Sequence, residues 1–427
     1  PQGRGIRAGA TSLRPALRAS LRRLNRRFGR VSSFSMSRRE AAVLIPLRTV
    51  EGTLEVYLAQ RSPELSFLGG FHSFPGGTLD EADHALFSQS LADSPHHSAA
   101  LREAFEELGG LPRGLEPANL RDAVLSDSAA WQRWVEQRGA LPELPLMPMG
   151  RWITPPFASQ QFDALYFACW FEGDEPIRLD RRENCAGLWI DPAKAREWHN
   201  DGWLYRSFPV LETLRVIERC DNDIPRASEE LKEWSGNYAH GGGEMIAGVR
   251  VVPLRTPTLP PATHTNAYLL GRKELVLLDP GSPYEEECRR LDQYIEHLEA
   301  TGQRLREIWL THHHPDHVGG VEHARRRWNV PVAAHPLTAE SLKGQIEIDR
   351  FIQDQELIVF SDDPHQDQWR ALHTPGHARG HLCFYEEQLG HLVSGDLVVS
   401  VGTVIVAAPD GKMSDYFASL GRLRDLA

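Results

Sequence analysis

From Ala41 the chain carries two short apolar runs, Ala41 to Leu47 and Leu54 to Ala59, parted by the polar pair Glu51-Gly52. That pattern predicts a β-hairpin. A glycine-rich stretch, Phe67 to Gly77, predicts a loop, and the spacing that follows predicts a helix over about Ser98 to Leu108. A second helix is predicted over Leu115 to Gly139, where Trp131 and Trp134 stand three apart on one face, as core residues do. Residues 225 to 243 are polar and end in His240-Gly241-Gly242-Gly243, the composition of a flexible joint. Apolar strands resume at Ile246 to Leu254. A helix over about Glu285 to Thr301, the buried run Ile308-Trp309-Leu310, a helix over Asp316 to Trp328 and a strand over Val330 to His335 follow. The pattern therefore predicts an α/β (α+β) chain of two domains, at 37–236 and 244–427, joined by a linker at 237–243.

Composition narrows this picture. With 41% apolar and 25% charged residues the chain reads as a soluble globular protein. A formal charge of -11 disfavours a dedicated nucleic-acid surface, and no run of 18 apolar residues offers a membrane span. Five scattered cysteines without a Cys-x-x-Cys spacing read as reduced thiols of a cytoplasmic protein. Residues 1–36 form a basic arm expected to be disordered. Eleven arginines and no acidic residue precede position 40, a composition also found in mitochondrial transit peptides. The reading adopted is that the natural start is Met36 and the arm is an extension.

The densest chemistry lies in Thr311-His312-His313-His314-Pro315-Asp316-His317. In extended chain, residues i and i+2 share a side, so His312 and His314 can grip one ion while His313 points away. Pro315 ends the run, and Asp316 and His317 can reach a second ion. Imidazole with carboxylate suits zinc, and also iron or manganese. Earlier, Glu103, Glu106 and Glu107 stand at i, i+3 and i+4, so their carboxylates share a helix face. Carboxylates that close repel one another unless something positive lies between them. Magnesium, or manganese, is the cation expected there.

The pattern His-x-His-x-Asp-His after a strand resembles the metallo-β-lactamase superfamily. His377 in His373-Thr374-Pro375-Gly376-His377 stands where that family has its third histidine ligand, and Asp396 in Ser394-Gly395-Asp396 stands where it has a bridging aspartate. The runs Thr265 to Leu270 and Val276 to Gly281 look like its first strands, with Asp279 in support. The resemblance implies an αββα sandwich and two zinc sites, one of His312, His314 and His377, the other of Asp316, His317 and a shared Asp396, with a metal-activated water as nucleophile. Family members add a histidine after the last helix. None follows His391 here, so the second site and the domain's carboxy-terminal end are expected to be incomplete, with one tightly held ion and one that dialyses away. His335, His365, His373, His381 and His391 are read as structural or supporting.

The earlier segment resembles the Nudix box, Gly-x5-Glu-x7-Arg-Glu-U-x-Glu-Glu, with U a bulky apolar residue. Gly77 stands as its first glycine and Arg102 as the arginine that orients the glutamates. The interval from Gly77 to Arg102 is eleven residues longer than the motif's, with His84 to His97 as the insertion, which leaves the motif's first glutamate without a counterpart. A coenzyme A diphosphatase-like branch accepts an insertion here and shares the lead-in Phe74 to Asp83. By the same resemblance Trp152 to Pro156, Phe162 to Ala168 and Gly187 to Ala195 are later elements of a mixed-sheet α/β/α domain, closed by a final helix over Pro209 to Arg219. Gln161 stands where an arginine is common.

These readings imply a metal-dependent hydrolase of small molecules. The second domain would cleave an ester-like bond, a thioester or phosphodiester, with Asp316 in its catalytic set. The first would cleave a nucleoside-diphosphate-linked or coenzyme A-type substrate, with Glu106 and Glu107 catalytic. The triple-histidine loop is similar to that of glyoxalase II thioesterases. The tandem layout and Asp415 to Leu420 are more similar to the β-lactamase-like protein 2 branch, which includes an endoribonuclease. That makes RNA cleavage beside a degenerate Nudix binding module one alternative, and a mononuclear iron persulfide dioxygenase another.

Overall fold

The computed structural model describes residues 38–65, 68–111, 119–154, 160–171, 177–236, 242–360, 367–399 and 402–426. The basic arm, most of the expected linker (237–241), Phe67, Pro155, Pro156 and His365 lie outside these residues. The chain divides into two compact units between Tyr238 and Ala239.

In the first unit, β1 (Arg39–Val50) and β2 (Thr53–Arg61) form an antiparallel hairpin. Glu51 and Gly52 both take positive φ, at 49° and 83°, as a turn matching strand twist requires. The remaining strands are β3 (His72–Ser73), β4 (Gly76–Thr78), β5 (Met147–Ile153), β6 (Phe162–Trp170) and β7 (Asn184–Ile190). They form one mixed sheet in the order β3-β2-β1-β6-β5, with β4 on β1 and β7 on β2. Gly76 lies so close to β1 that a Cβ there would sit 2.5 Å from the Ala42 carbonyl oxygen. Helices α1 (Glu81–Ser88) and α2 (Pro95–Leu108) follow. Ser94 caps α2, its Oγ accepting from His97 N, and Gly109 ends it at φ 79°.

Three sequence expectations need correction. The predicted insertion is largely helical, since α1 reaches Ser88 and α2 begins at Pro95, three residues before Ser98. The helix predicted over Leu115 to Gly139 is two, α3 (Leu120–Ser126) and α4 (Ala129–Arg138), because the Asp127 side chain takes the Ala129 N–H and competes with the helical ladder. Trp131 is fully buried, its ring 6.0 Å from that of Phe105. After α5 (Pro192–Asn200) and α6 (Phe208–Arg219), the polar stretch read as a joint forms another helix, α7 (Ile224–Gly236), so α6 is not the last. Its buried residues Ile224, Ala227 and Leu231 fall at i, i+3 and i+7, a narrow apolar stripe hidden within a polar composition.

The second unit holds a seven-stranded sheet of β8 (Gly243–Ile246), β9 (Val249–Arg255), β10 (His264–Leu270), β11 (Glu274–Leu278), β12 (Arg304–Trp309), β13 (Val332–Ala334) and β14 (Arg350–Phe351), ordered β14-β13-β12-β11-β10-β9-β8. A four-stranded sheet runs β15 (Leu357–Val359), β16 (Gln368–His373), β17 (Leu382–Glu386) and β18 (His391–Val393). Alternation along β11 divides the core. Leu275 and Leu277 face the helices α8 (Glu285–Ala300) and, beyond α9 (Pro315–Val318), α10 (Val321–Trp328), while Val276 and Leu278 face the second sheet. Between the sheets the Trp309 and Phe384 rings stack at 4.8 Å. Past the short α11 (Pro336–Ser341), α12 (Met413–Arg424) covers the outer face of the second sheet through Tyr416, Leu420 and Leu423. The layers therefore run α, β, β, α. The helix expected over Asp316 to Trp328 breaks at Gly319-Gly320. A Cβ at Gly320 would stand 2.7 Å from the carbonyl oxygens of Pro280 and Ser282, so the chain passes too closely for a continuous side-chain-bearing helix.

Candidate metal centre

The second unit gathers its histidines at strand ends. His312 and His314 follow β12, His377 follows β16, Asp396 follows β18 and Asp279 follows β11. His314 Nδ1 lies 2.9 Å from His312 Nε2 and 2.8 Å from His377 Nε2, and the two Nε2 atoms are 3.2 Å apart. Three imidazole nitrogens pointing at one spot repel through their lone pairs unless protons or a cation sit among them. Around a zinc ion with tetrahedral bonds of 2.0–2.1 Å the nitrogens would stand about 3.3 Å apart, so the triangle fits a metal after slight expansion. Burial and the neighbouring imidazoles push His312 well below the usual histidine range and His314 down to about 4.

Beside it, His312, His317 and Asp396 form a second cluster. Asp396 reaches toward both, Oδ1 at 3.2 Å from His317 Nε2 and Oδ2 at 3.6 Å from His377 Nε2. Asp316 stands at the margin, its Oδ2 3.9 Å from His317 Nε2 and held by the Thr265 hydroxyl at 3.2 Å. Asp279 accepts from Thr311 N at 2.8 Å and Thr311 Oγ1 at 2.6 Å, and bonds His317 Nδ1 at 2.8 Å. That contact turns His317 Nε2 toward the cluster. Burial alone would lower the His317 pKa, but Asp279 and Asp396 outweigh it and raise it well above 6.5. Asp396 is held down at about 2, its burial overcome by His317. His313 points elsewhere, its Nε2 3.8 Å from Asp410. His335 and His373 stack on each other at 4.1 Å. Sequence reasoning passed over Thr265 and the pair Thr311 and Thr374, whose hydroxyls brace Asp316, Asp279 and His381.

In the first unit α2 carries the three glutamates, and here the positive group between two of them is a side chain. Arg102 Nη1 donates to Glu103 Oε1 at 2.9 Å and Glu106 Oε1 at 3.1 Å, and Nη2 donates to Asp83 at 2.9 Å. Arg102 thus supplies a positive group between Glu103 and Glu106 beside which the expected magnesium would have to sit. Asp83 is a correction. It is fully buried, takes the Ser98 hydroxyl at 2.6 Å, and stands six residues after Gly77, the interval the motif gives its first glutamate. The inserted segment follows that position instead of replacing it. Glu107 has no bond to the guanidinium and is held by the loop and strand beside it, accepting from Gly76 N at 3.0 Å and Asn184 Nδ2 at 2.8 Å. Burial drives Glu107 up to about 7. Glu103 goes up to about 8 by burial and the other glutamates, against the pull of Arg102. Its carboxyl presses on Gly77, where a Cβ would meet it at 2.5 Å.

Residues 260–427 match the family model of the Metallo-beta-lactamase superfamily. The chain is 30% identical to the hydroxyacylglutathione hydrolase of Pelagibacter ubique, over 31% of this chain and 52% of that one. It is 26% identical to the atrochrysone carboxyl ACP thioesterase of Aspergillus fumigatus, over 53% and 49%. It thus spans about half the length of these curated relatives. Over the amino-terminal part, a Nudix hydrolase from Alicyclobacillus acidocaldarius aligns at 26% identity and a TM-score of 0.41, covering 46% of this chain and 97% of that one. The carboxy-terminal part of this chain is a metallo-beta-lactamase superfamily domain.

Proposed function

We propose that the chain is a metal-dependent hydrolase whose second unit cleaves a thioester. The observation that carries this is the triangle of His312, His314 and His377 nitrogens, 2.8 to 3.2 Å apart, with Asp396 reaching toward it from a neighbouring cluster. We assign one cation to that triangle and a second to His317, Asp396 and Asp316. Zinc bound there would lower the pKa of its water to about 7 and polarise a carbonyl. The protein's own part is placement. Asp279 fixes the His317 ring and Thr265 fixes Asp316, to which we assign the role of proton acceptor. The likeness to a hydroxyacylglutathione hydrolase and to an acyl-carrier thioesterase favours a thioester over a lactam.

For the first unit the reading is a magnesium-dependent pyrophosphohydrolase acting through Glu103, Glu106 and Glu107, favoured by carboxylates that Arg102, Gly76 and Asn184 hold in fixed directions. The test is metal analysis of the purified chain followed by a substrate panel of acyl-glutathione and acyl-coenzyme A thioesters, a nucleoside-diphosphate sugar, coenzyme A and a single-stranded RNA. Zinc with thioester turnover supports the proposal. A single iron, or RNA cleavage without thioester turnover, would replace it with the dioxygenase or endoribonuclease reading.

A further inference from the structure

His381 has no place in the chemistry above, yet it is fully buried directly behind the metal centre. Its ring centroid lies 5.2 Å from that of His312 and 6.2 Å from that of His377. Nδ1 is tied to the Thr374 hydroxyl at 2.9 Å. Nε2 is buried with no hydrogen-bond partner. A buried polar nitrogen left unmatched costs free energy, so its presence asks for a use. It lies beside Gly395. A Cβ at Gly395 would sit 2.6 Å from Nε2, and Gly395 takes φ 47°, so this turn is shaped around the imidazole. Asp396, the carboxylate reaching both clusters, is the next residue.

We propose that His381 is a positioning residue of the metal centre: anchored through Nδ1 by Thr374, it presents Nε2 to the Gly395-Asp396 turn and so sets the direction of the carboxylate that the two cation sites share. The inference rests on the metal-centre reading above. Groups that orient a metal ligand are typically worth 10- to 100-fold in metal affinity.

The test uses three variants of the whole chain and cobalt(II) as the probe. A Gln amide reaches the ε position of the lost imidazole, an Asn amide only the δ position, and Leu offers neither. The His381→Gln variant is expected to bind both cobalt ions within about threefold of the unaltered chain, whereas His381→Asn and His381→Leu lose roughly 10- to 100-fold, chiefly for the more weakly held ion, with changed visible absorption bands. If the Leu variant does not fold, the Gln and Asn pair decides. Cobalt binding by the Asn variant equal to that of the unaltered chain would overturn the inference, as would a loss in the Gln variant as large as in Asn. Failure of the unaltered chain to take up cobalt at all would instead overturn the metal-centre reading, and the inference with it.

Discussion

The two units handle crowded like groups in opposite ways. In the first, Glu103 and Glu106 have a positive charge built in, the Arg102 guanidinium, which Asp83 anchors from behind. In the second, His312, His314 and His377 converge at 2.8 to 3.2 Å around a point that no side chain among the described residues fills with charge. The first cluster carries a counter-charge within the chain itself. The second has only imidazole donors, and on the metal-centre reading its stability and activity should follow the metal.

Removing a donor from the second cluster should have the largest effect. Metal activation supplies several kcal/mol of transition-state stabilisation, and about 1.4 kcal/mol is a factor of ten, so His314→Ala should lower thioester turnover on the order of a thousandfold. Magnesium-dependent pyrophosphohydrolysis should be unchanged, and equal loss of both activities would erase the distinction between the units.

The built-in charge of the first cluster is tested by Arg102→Ala. Taking one partner from a buried ion pair costs about 3–5 kcal/mol, because Asp83 would be left buried without its partner. Denaturant unfolding should show that loss in the transition reported by helix α2, with the transition of the second unit unmoved. An Arg102→Ala chain as stable as the parent would mean that the guanidinium contributes little.

A pH series sharpens the contrast further. Glu103 and Glu107 titrate near 8 and 7 in the folded chain, above the ordinary carboxylate value of 4.5. The folded state therefore holds more protons than the unfolded state between those values, and stability falls as pH rises through that window. Magnesium binds the ionised form, so its protection of residues 95–108 against hydrogen exchange should be greater at pH 8 than at pH 5.5. Protection independent of pH would argue against magnesium on these carboxylates.

The smallest effect is expected from Ser94→Ala. It removes the cap from α2, at a cost of about 1 kcal/mol, and should lower the first unit's stability while leaving zinc content unchanged.

Local spacing made much of this legible. The i, i+2 placement of His312 and His314 and the shared helix face of Glu103, Glu106 and Glu107 follow from the periods of strand and helix, and the alternating apolar runs carried the α/β character and the layered second unit. Spacing failed where polar residues masked a stripe, as in α7, and where one side chain overruled propensity, as Asp127 does between α3 and α4.

By itself the sequence determined which chemical groups are present and the direction each takes within its own strand or helix. Only the tertiary structure decided which of them meet. Strand order and register bring His377 to His312 across 65 residues and Asn184 to Glu107 across 77, seat Asp83 on Arg102, and set His381 against Gly395. Such meetings depend on how sheets stack and which strand lies beside which, and these are properties of the whole core, since no local run of residues encodes a distance to a segment it has yet to pack against.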